Sequence, residues 1–445
     1  MTPPPRRRSL SVWIEALFAA GVLACLAWVA WHLSVAGYLP QPYFYESFDT
    51  WMDWFNTAYY AHNGGIYDDW RSVYLPLSFV ILKLFSNSAC YGWADTMQAR
   101  NCDWISIASI HLIFLVNIPL VYWSFRKVDK STALPRTIAT CLGLPMTFTL
   151  ERGNLLLLTF TFLLLAYGPL LKSARLRWVA AGLAVNMKIY LIGTIFAQLL
   201  RHRWRWFEGA LAASVVIYLL TFAIVGEGSP GQIIRNLTMF SESLQAGSPL
   251  DVWYSSTYQP MIVLLEHSSF PAVSTLGSNT VEALTLGLPL AIHFVQVSIV
   301  IAAVASWARP EVVPLHRLVL LSIAMAIITT EAGGYAQVLL LPFVFMERWH
   351  GPGRIWALIA TYLLCLPIDI PIGSAVTLVR ESYLGGREVF ADYFASVGQL
   401  IRPGLILSIA LALSMVTMRD VWTDIRRNGW RWPIGRPAST PLPAS

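Results

Sequence analysis

Two aspartates, Asp49 and Asp53, lie in the stretch Glu46-Ser-Phe-Asp49-Thr-Trp-Met-Asp53-Trp-Phe-Asn56, just past the first long apolar run of the chain. Carboxylates beside a membrane interface are costly unless they are solvated, paired or put to use. A carboxylate can take the proton of a hydroxyl as a new bond forms. If the loop is helical at this point, the two residues share a face, and Asp53 would either orient that hydroxyl or raise the pKa of Asp49 by like-charge repulsion. Asp49 is the expected base and Asp53 its partner. Two cations further on are suited to meet an anion. Arg152, within Glu151-Arg152-Gly153-Asn154, offers a planar fork; Lys188, within Asn186-Met-Lys188-Ile-Tyr190, is a point charge. Glu151 is expected to hold Arg152. Asn154, Tyr67, Tyr74, Tyr190 and Glu331 are the expected supporting or acceptor-binding groups. No metal-ligand spacing accompanies them, and neither a metal nor a cofactor is expected.

Each of these residues also has a plainer reading. Loop tyrosines are commonly interfacial belt residues. Glu151 and Arg152 could be a local pair at a helix end, either aspartate a helix cap, and Glu331 a solvated turn residue. What favours chemistry is convergence: these charges fall at breaks between apolar runs that a charge-based topology places on one side.

That topology follows from composition. The chain has 445 residues, 56% hydrophobic and 13% charged, with a net charge of +6. A soluble surface needs far more charge, so the class is an all-α polytopic membrane protein with no soluble domain. The positive charge gathers in arginine clusters between apolar runs, as in cytoplasmic loops, which argues against nucleic-acid binding. The apolar run after Arg6-Arg7-Arg8 is about 22–24 residues long, enough for an uncleaved first span with its N-terminus in the cytoplasm.

About ten spans are expected in one membrane domain covering residues 1–445. They are 12–35, 104–125, 134–150, 155–171, 207–225, 283–307, 318–330, 335–346, 355–372 and 400–418. Residues 36–103 form a first external loop with interfacial helices, 226–280 a second, and 419–445 a cytoplasmic tail. Residues 178–200 stand apart, because basic residues flank both ends. The expectation is two half-helices that meet near Lys188, roughly 15 Å deep at 1.5 Å per residue; irregular backbone at that depth needs a protein or water-filled surround. The alternative is an ordinary span. Cys90 and Cys102 flank one polar stretch of the first loop, where a disulfide could form in an oxidising compartment. Cys25, Cys141 and Cys365 read as small core residues.

The order of several short motifs resembles the GT-C glycosyltransferases of family 87. These are Asp49…Asn63-Gly64-Gly65-Ile66-Tyr67…Tyr74-Leu75-Pro76-Leu77-Ser78, then Arg152-Gly153-Asn154-Leu155, then Gly182…Lys188-Ile189-Tyr190 before an arginine-rich loop. The chain departs from the family at the glutamine of the second motif, and in having Gly334-Tyr335 where a His-Tyr pair is frequent. The resemblance implies a GT-C-like bundle and an inverting transfer of a sugar, as in polyprenyl-phosphate-mannose-dependent enzymes. The donor would be a polyprenyl-phosphate sugar, its phosphate met by Arg152 and Lys188, and the acceptor a glycolipid or glycan. The reaction would occur at the outer face of the cytoplasmic membrane, with both termini cytoplasmic. A polysaccharide polymerase or ligase, or a carrier for lipid-linked sugars, is the alternative class.

Overall fold

The computed structural model describes residues 10–43, 46–92, 95–243, 255–266, 272–329, 333–384 and 386–430. The chain is mostly helical. Five helices are long and apolar enough to cross a membrane: α1 (Leu10–Ala36), α5 (Trp104–Val128), α11 (Trp204–Val225), and the helices Ser278–Ala308 and Val397–Asn428. Each is an apolar run with long lipophilic side chains left exposed, such as Leu17 and Trp31 on α1 and Leu290 and Phe294 on Ser278–Ala308. Exposed apolar patches of that extent fit a lipid solvent rather than water.

The remaining expected spans are shorter or broken. Residues 133–152 form α6 (Ala133–Leu142) and α7 (Leu144–Arg152), which meet at Gly143. Pro145 lies in the first turn of α7, where its missing N–H costs nothing. Helix α8 (Leu156–Tyr167) has 12 residues and Leu315–Thr329 has 15. A tight turn separates α8 from α7. Glu15 on α1 meets Arg136 on α6, and Val29 packs with Leu144 and Phe148, so α1 and the α6–α7 pair run parallel.

The expected break at Lys188 is present. Helix α9 (Ala174–Met187) stops there, Lys188 is extended (φ −143°, ψ 106°), and α10 (Ile192–Leu200) follows a single 3-10 turn. The chain reverses at this point. Trp178 packs on Gly209 and Gly182 on Ala213, so α9 runs parallel to α11. Phe196 stacks near Phe207 across the short turn at 201–203, so α10 runs antiparallel to it. Arg177 and Arg203, one from each limb, fall within electrostatic reach of each other. Both limbs therefore end on the same side of the bundle.

The first loop folds into α2 (Met52–Asn63), α3 (Pro76–Leu84) and α4 (Thr96–Cys102). Trp54 donates to Ser106 at 3.0 Å and Tyr91 to Asp103 at 2.9 Å, which fastens the loop to the start of α5. Cys90 and Cys102 are joined by a disulfide. From the second loop, α12 (Pro230–Ser243) sends the buried Asn236 amide to the carbonyls of Tyr67 and Ser72, at 2.8 and 3.1 Å.

One element contradicts an all-α chain. Strands β1 (Pro371–Glu381) and β2 (Glu388–Ser396) form an antiparallel hairpin, with Leu378 opposite Ala391 and Arg380 opposite Val389. The β-branched and aromatic residues in Val376-Thr-Leu-Val379 and Val389-Phe-Ala-Asp-Tyr393 favour a strand, a signal that a search for long apolar runs passes over. The hairpin leans on the first loop. Gln41 exchanges hydrogen bonds with the Phe394 backbone at 3.0 and 2.8 Å, and Arg380 pairs with Glu46 at 2.8 Å.

Candidate active site

Three chain segments meet at the loop end of the bundle. The first is the turn Ser47–Asp49 together with the start of α2. Asp49 ends a 3-10 turn and Asp53 lies in the first turn of α2, but Trp51 between them has φ 61°. The pair is therefore not on one regular helix. A left-handed tryptophan is costly and persists only where its surroundings force it. Here the Trp51 amide donates to the Glu151 carbonyl at 2.8 Å.

The second segment is the turn after α7. Gly153 adopts φ 62°, and a Cβ at this position would lie 2.9 Å from Trp51 Cα. Only glycine allows both the conformation and the approach. This close contact places Arg152 and Asn154 on the aspartates. Arg152 pairs with Asp49 through one guanidinium nitrogen and with Asp53 Oδ1 through the other, the latter at 2.9 Å. Asn154 donates to Asp53 Oδ2 at 2.7 Å, while its own carbonyl oxygen caps Leu156 N at 3.0 Å. Both oxygens of Asp53 are thus engaged. Asp49 has one oxygen on Arg152 and no second hydrogen bond among the described residues. Burial pushes its carboxyl above its ordinary value, against the pull of Arg152, and the Asp53 charge pushes in the same direction as burial.

The third segment is the break between α9 and α10. Lys188 Nζ lies over the ring of Tyr74, 4.1 Å from its centroid. Among the described residues it has no ion pair. A half-buried ammonium held only by an aromatic face leaves most of its hydrogen-bonding capacity open. Tyr190 sits beside it at one end of an apolar groove of ≈ 730 Å³. The groove runs between α10 and the helices Ser278–Ala308 and Leu315–Thr329, past Phe196, Val304 and Met325, to Leu200 and Trp307.

Of the expected residues, Asp49, Asp53, Arg152, Asn154, Tyr74, Lys188 and Tyr190 come together. Tyr67 does not offer its hydroxyl to this centre, because that group donates to the Tyr74 carbonyl at 2.8 Å; it shapes the loop. Glu151 is close but does not hold Arg152 by hydrogen bonds. The residue is 7% exposed, and among the described residues neither carboxyl oxygen has a hydrogen-bond partner. The guanidinium is turned to Asp49 and Asp53 instead, so its fork is not open to a phosphate as expected. Glu331 lies outside the described residues.

Sequence reasoning missed two contributors. Arg100 on α4 donates to the carbonyls of Ser47, Phe48 and Thr50, in the turn that carries Asp49. Tyr335 packs against Phe148 with 5.8 Å between ring centroids, and lies within electrostatic reach of Asp53 and Arg152. Nothing local marks Arg100, whose partners lie about fifty residues upstream.

Comparison with family models, with curated proteins and with solved structures found no match to this chain.

Proposed function

We propose that the chain is an integral membrane glycosyltransferase of GT-C type, which moves a sugar from a polyprenyl-phosphate donor to a hydroxyl of a glycolipid or glycan. One observation carries the reading. Asp49, which has one oxygen without a hydrogen bond among the described residues, stands with Arg152 and Asp53 near Lys188, which has no ion pair among those residues and is two positions from Tyr190 in the lining of an apolar groove. Base, cation and groove answer to the hydroxyl, the phosphate and the lipid tail.

In this reading the acceptor oxygen attacks the anomeric carbon as Asp49 takes its proton. The bond from that carbon to the phosphate oxygen breaks on the opposite face, giving inversion. The electron pair leaves with the polyprenyl phosphate, and Lys188 stabilises the added charge. Arg152 and Asn154 orient the aspartates. Arg152 is thus a positioning group, and the donor phosphate falls to Lys188.

The proposed topology has about ten crossings, several of them short, in the cytoplasmic membrane, with both termini cytoplasmic. It is supported by the five long apolar helices and by the re-entrant shape of 174–200, which sends both limbs toward basic residues. It is also supported by a disulfide at the loop end, since such bonds persist in oxidising compartments.

The test is donor turnover in lipid nanodiscs with a synthetic polyprenyl-phosphate sugar. Asp49→Asn keeps the shape but cannot take a proton, and transfer should fall by at least ~100-fold with folding intact. Donor that crosses the bilayer unconsumed would identify a carrier instead.

A further inference from the structure

The turn bearing Asp49 has little to hold it in place by itself. It has two internal backbone bonds, Asp49 N to the Glu46 carbonyl at 3.1 Å and a long one from Thr50 N to the Ser47 carbonyl at 3.3 Å. The next residue, Trp51, sits at a positive φ that favours glycine. A strained turn persists only if its surroundings over-determine it. One side chain reaches across the whole turn. A single guanidinium nitrogen of Arg100 lies 3.1 Å from the Ser47 carbonyl, 2.7 Å from that of Phe48 and 3.3 Å from that of Thr50. These carbonyls bracket Asp49 on both sides.

Arg100 is itself fastened. It lies on α4, a helix of seven residues, too short to be stable alone. Asp95 caps the first turn, accepting from Met97 N at 2.9 Å. At the other end Cys102, two residues past Arg100, is bonded to the fully buried Cys90. The bridge joins the short helix to the packed base of the first loop. Arg100 also lies within electrostatic reach of Asp49, where its positive charge favours the ionised carboxylate against the effect of burial.

We propose that Arg100 is a positioning residue for Asp49, and that the Cys90–Cys102 bridge holds it on the turn, so that reducing the bridge slackens the base. The link from disulfide to Arg100 to the Asp49 turn makes the site redox-sensitive without placing a thiol in it. This rests on Asp49 being the base, but the mechanical part stands without that reading and can be measured separately.

The experiment uses the full chain in nanodiscs, with and without dithiothreitol, and compares wild type, Arg100→Gln, Arg100→Lys and Cys90→Ser/Cys102→Ser. Hydrogen exchange of the backbone amides over 46–54 needs no substrate. It should speed up in Arg100→Gln, in the double serine variant and in reduced wild type, and Arg100→Lys should recover part of the protection. In the transfer assay, Arg100→Gln should lower kcat by about 10–100-fold, the scale of a misplaced catalytic group. The KM for the donor should change less than about threefold, because Arg100 does not reach the donor groups. The acid limb of the kcat profile should move to higher pH, since a positive charge near Asp49 is lost. Reduction should add little in the Arg100→Gln background, because both changes act through one contact.

Unchanged exchange together with an unshifted pH profile in Arg100→Gln would overturn the proposal. So would a parallel rise of KM and fall of kcat with no change in exchange. If exchange responds as expected but the wild type transfers no sugar, the clamp stands and the transferase reading falls.

Discussion

Glu15 on α1 receives both forks of Arg136, at 2.7 and 2.8 Å, the Tyr362 hydroxyl at 2.7 Å and the Trp349 ring nitrogen. Glu151, at the other end of the bundle, receives no hydrogen bond at its carboxyl from the described residues. The contrast extends to their neighbours. At the basic end Arg317 makes a two-pronged pair with Glu347 at 2.6 and 2.7 Å and reaches Asp420 at 2.9 Å, while Arg309 pairs with Asp424 at 3.2 Å. With Arg354, which reaches both Glu347 and Asp420, four arginines there share four acids. At the loop end, among the described residues, Asp49 keeps an oxygen without a hydrogen bond, Lys188 lies over a ring with no ion pair, and Trp51 is strained. A buried network that is fully satisfied locks helices together, and it has nothing left to offer a ligand. A network left incomplete costs stability, and such a cost persists where the open groups meet something else. The basic end therefore reads as a staple and the loop end as a site.

If that distinction holds, removing charge should damage stability at one end and activity at the other. The largest effect is expected from Arg136→Ala, which leaves Glu15 buried without its ionic partner. Breaking one side of such a pair costs ~3–5 kcal/mol. Thermal unfolding followed by tryptophan fluorescence in nanodiscs should show a large drop, and a shift comparable to that of exposed-site controls would dissolve the contrast. Lys188→Gln should behave in the opposite way. Its melting point should hold or rise, because a half-buried ammonium with no ion pair among the described residues is gone. Transfer should fall by ~100–1,000-fold, the range for a lost group that stabilises transition-state charge. A Lys188→Gln variant that unfolds but keeps its specific activity would make Lys188 structural.

The pH dependence gives a finer test. Asp49 must be ionised to act as a base, and its carboxyl is raised above its ordinary value. Activity should therefore be lost, as pH falls, at a higher pH than the value near ~4 of a free carboxylate. Asp53→Asn removes the like charge and should move this limb down. A limb at the ordinary carboxylate position would mean that Asp49 is solvated or is not the base. The smallest effect is expected for Glu151→Gln. Burial of the Glu151 carboxyl favours its neutral form, so a neutral isostere should leave transfer within about threefold and stability within ~1 kcal/mol. A loss beyond tenfold would show that Glu151 works as a charge and belongs among the acting groups.

Much of this molecule was legible in the one-dimensional pattern. The apolar runs marked α1, α5, α11 and the two long late helices, since a segment in lipid must satisfy its own backbone and carry apolar side chains throughout. Arginines at both ends of residues 178–200 announced the reversal at Lys188, because charge placement reports sidedness directly. Asp49, Asp53, Arg152, Asn154 and Lys188 stood out as ionisable or amide groups at breaks between apolar runs. Glu15 carried the same kind of signal, an acid inside an apolar helix, and its partner Arg136 lies 121 residues away.

Tertiary structure alone decided which of these charges pair and which stay open. Arg152 could have turned to its neighbour Glu151, and sequence proximity favours that choice. The left-handed Gly153, pressed against the Trp51 backbone, carries the guanidinium to Asp49 and Asp53, about a hundred residues upstream, and strands Glu151. The hairpin of β1 and β2 and the grip of Arg100 on the Asp49 turn belong to the same class. The reason is common to all three. Apolar length and charge are properties of a segment, whereas a hydrogen bond has direction and short range, so its partner is set by how remote segments pack.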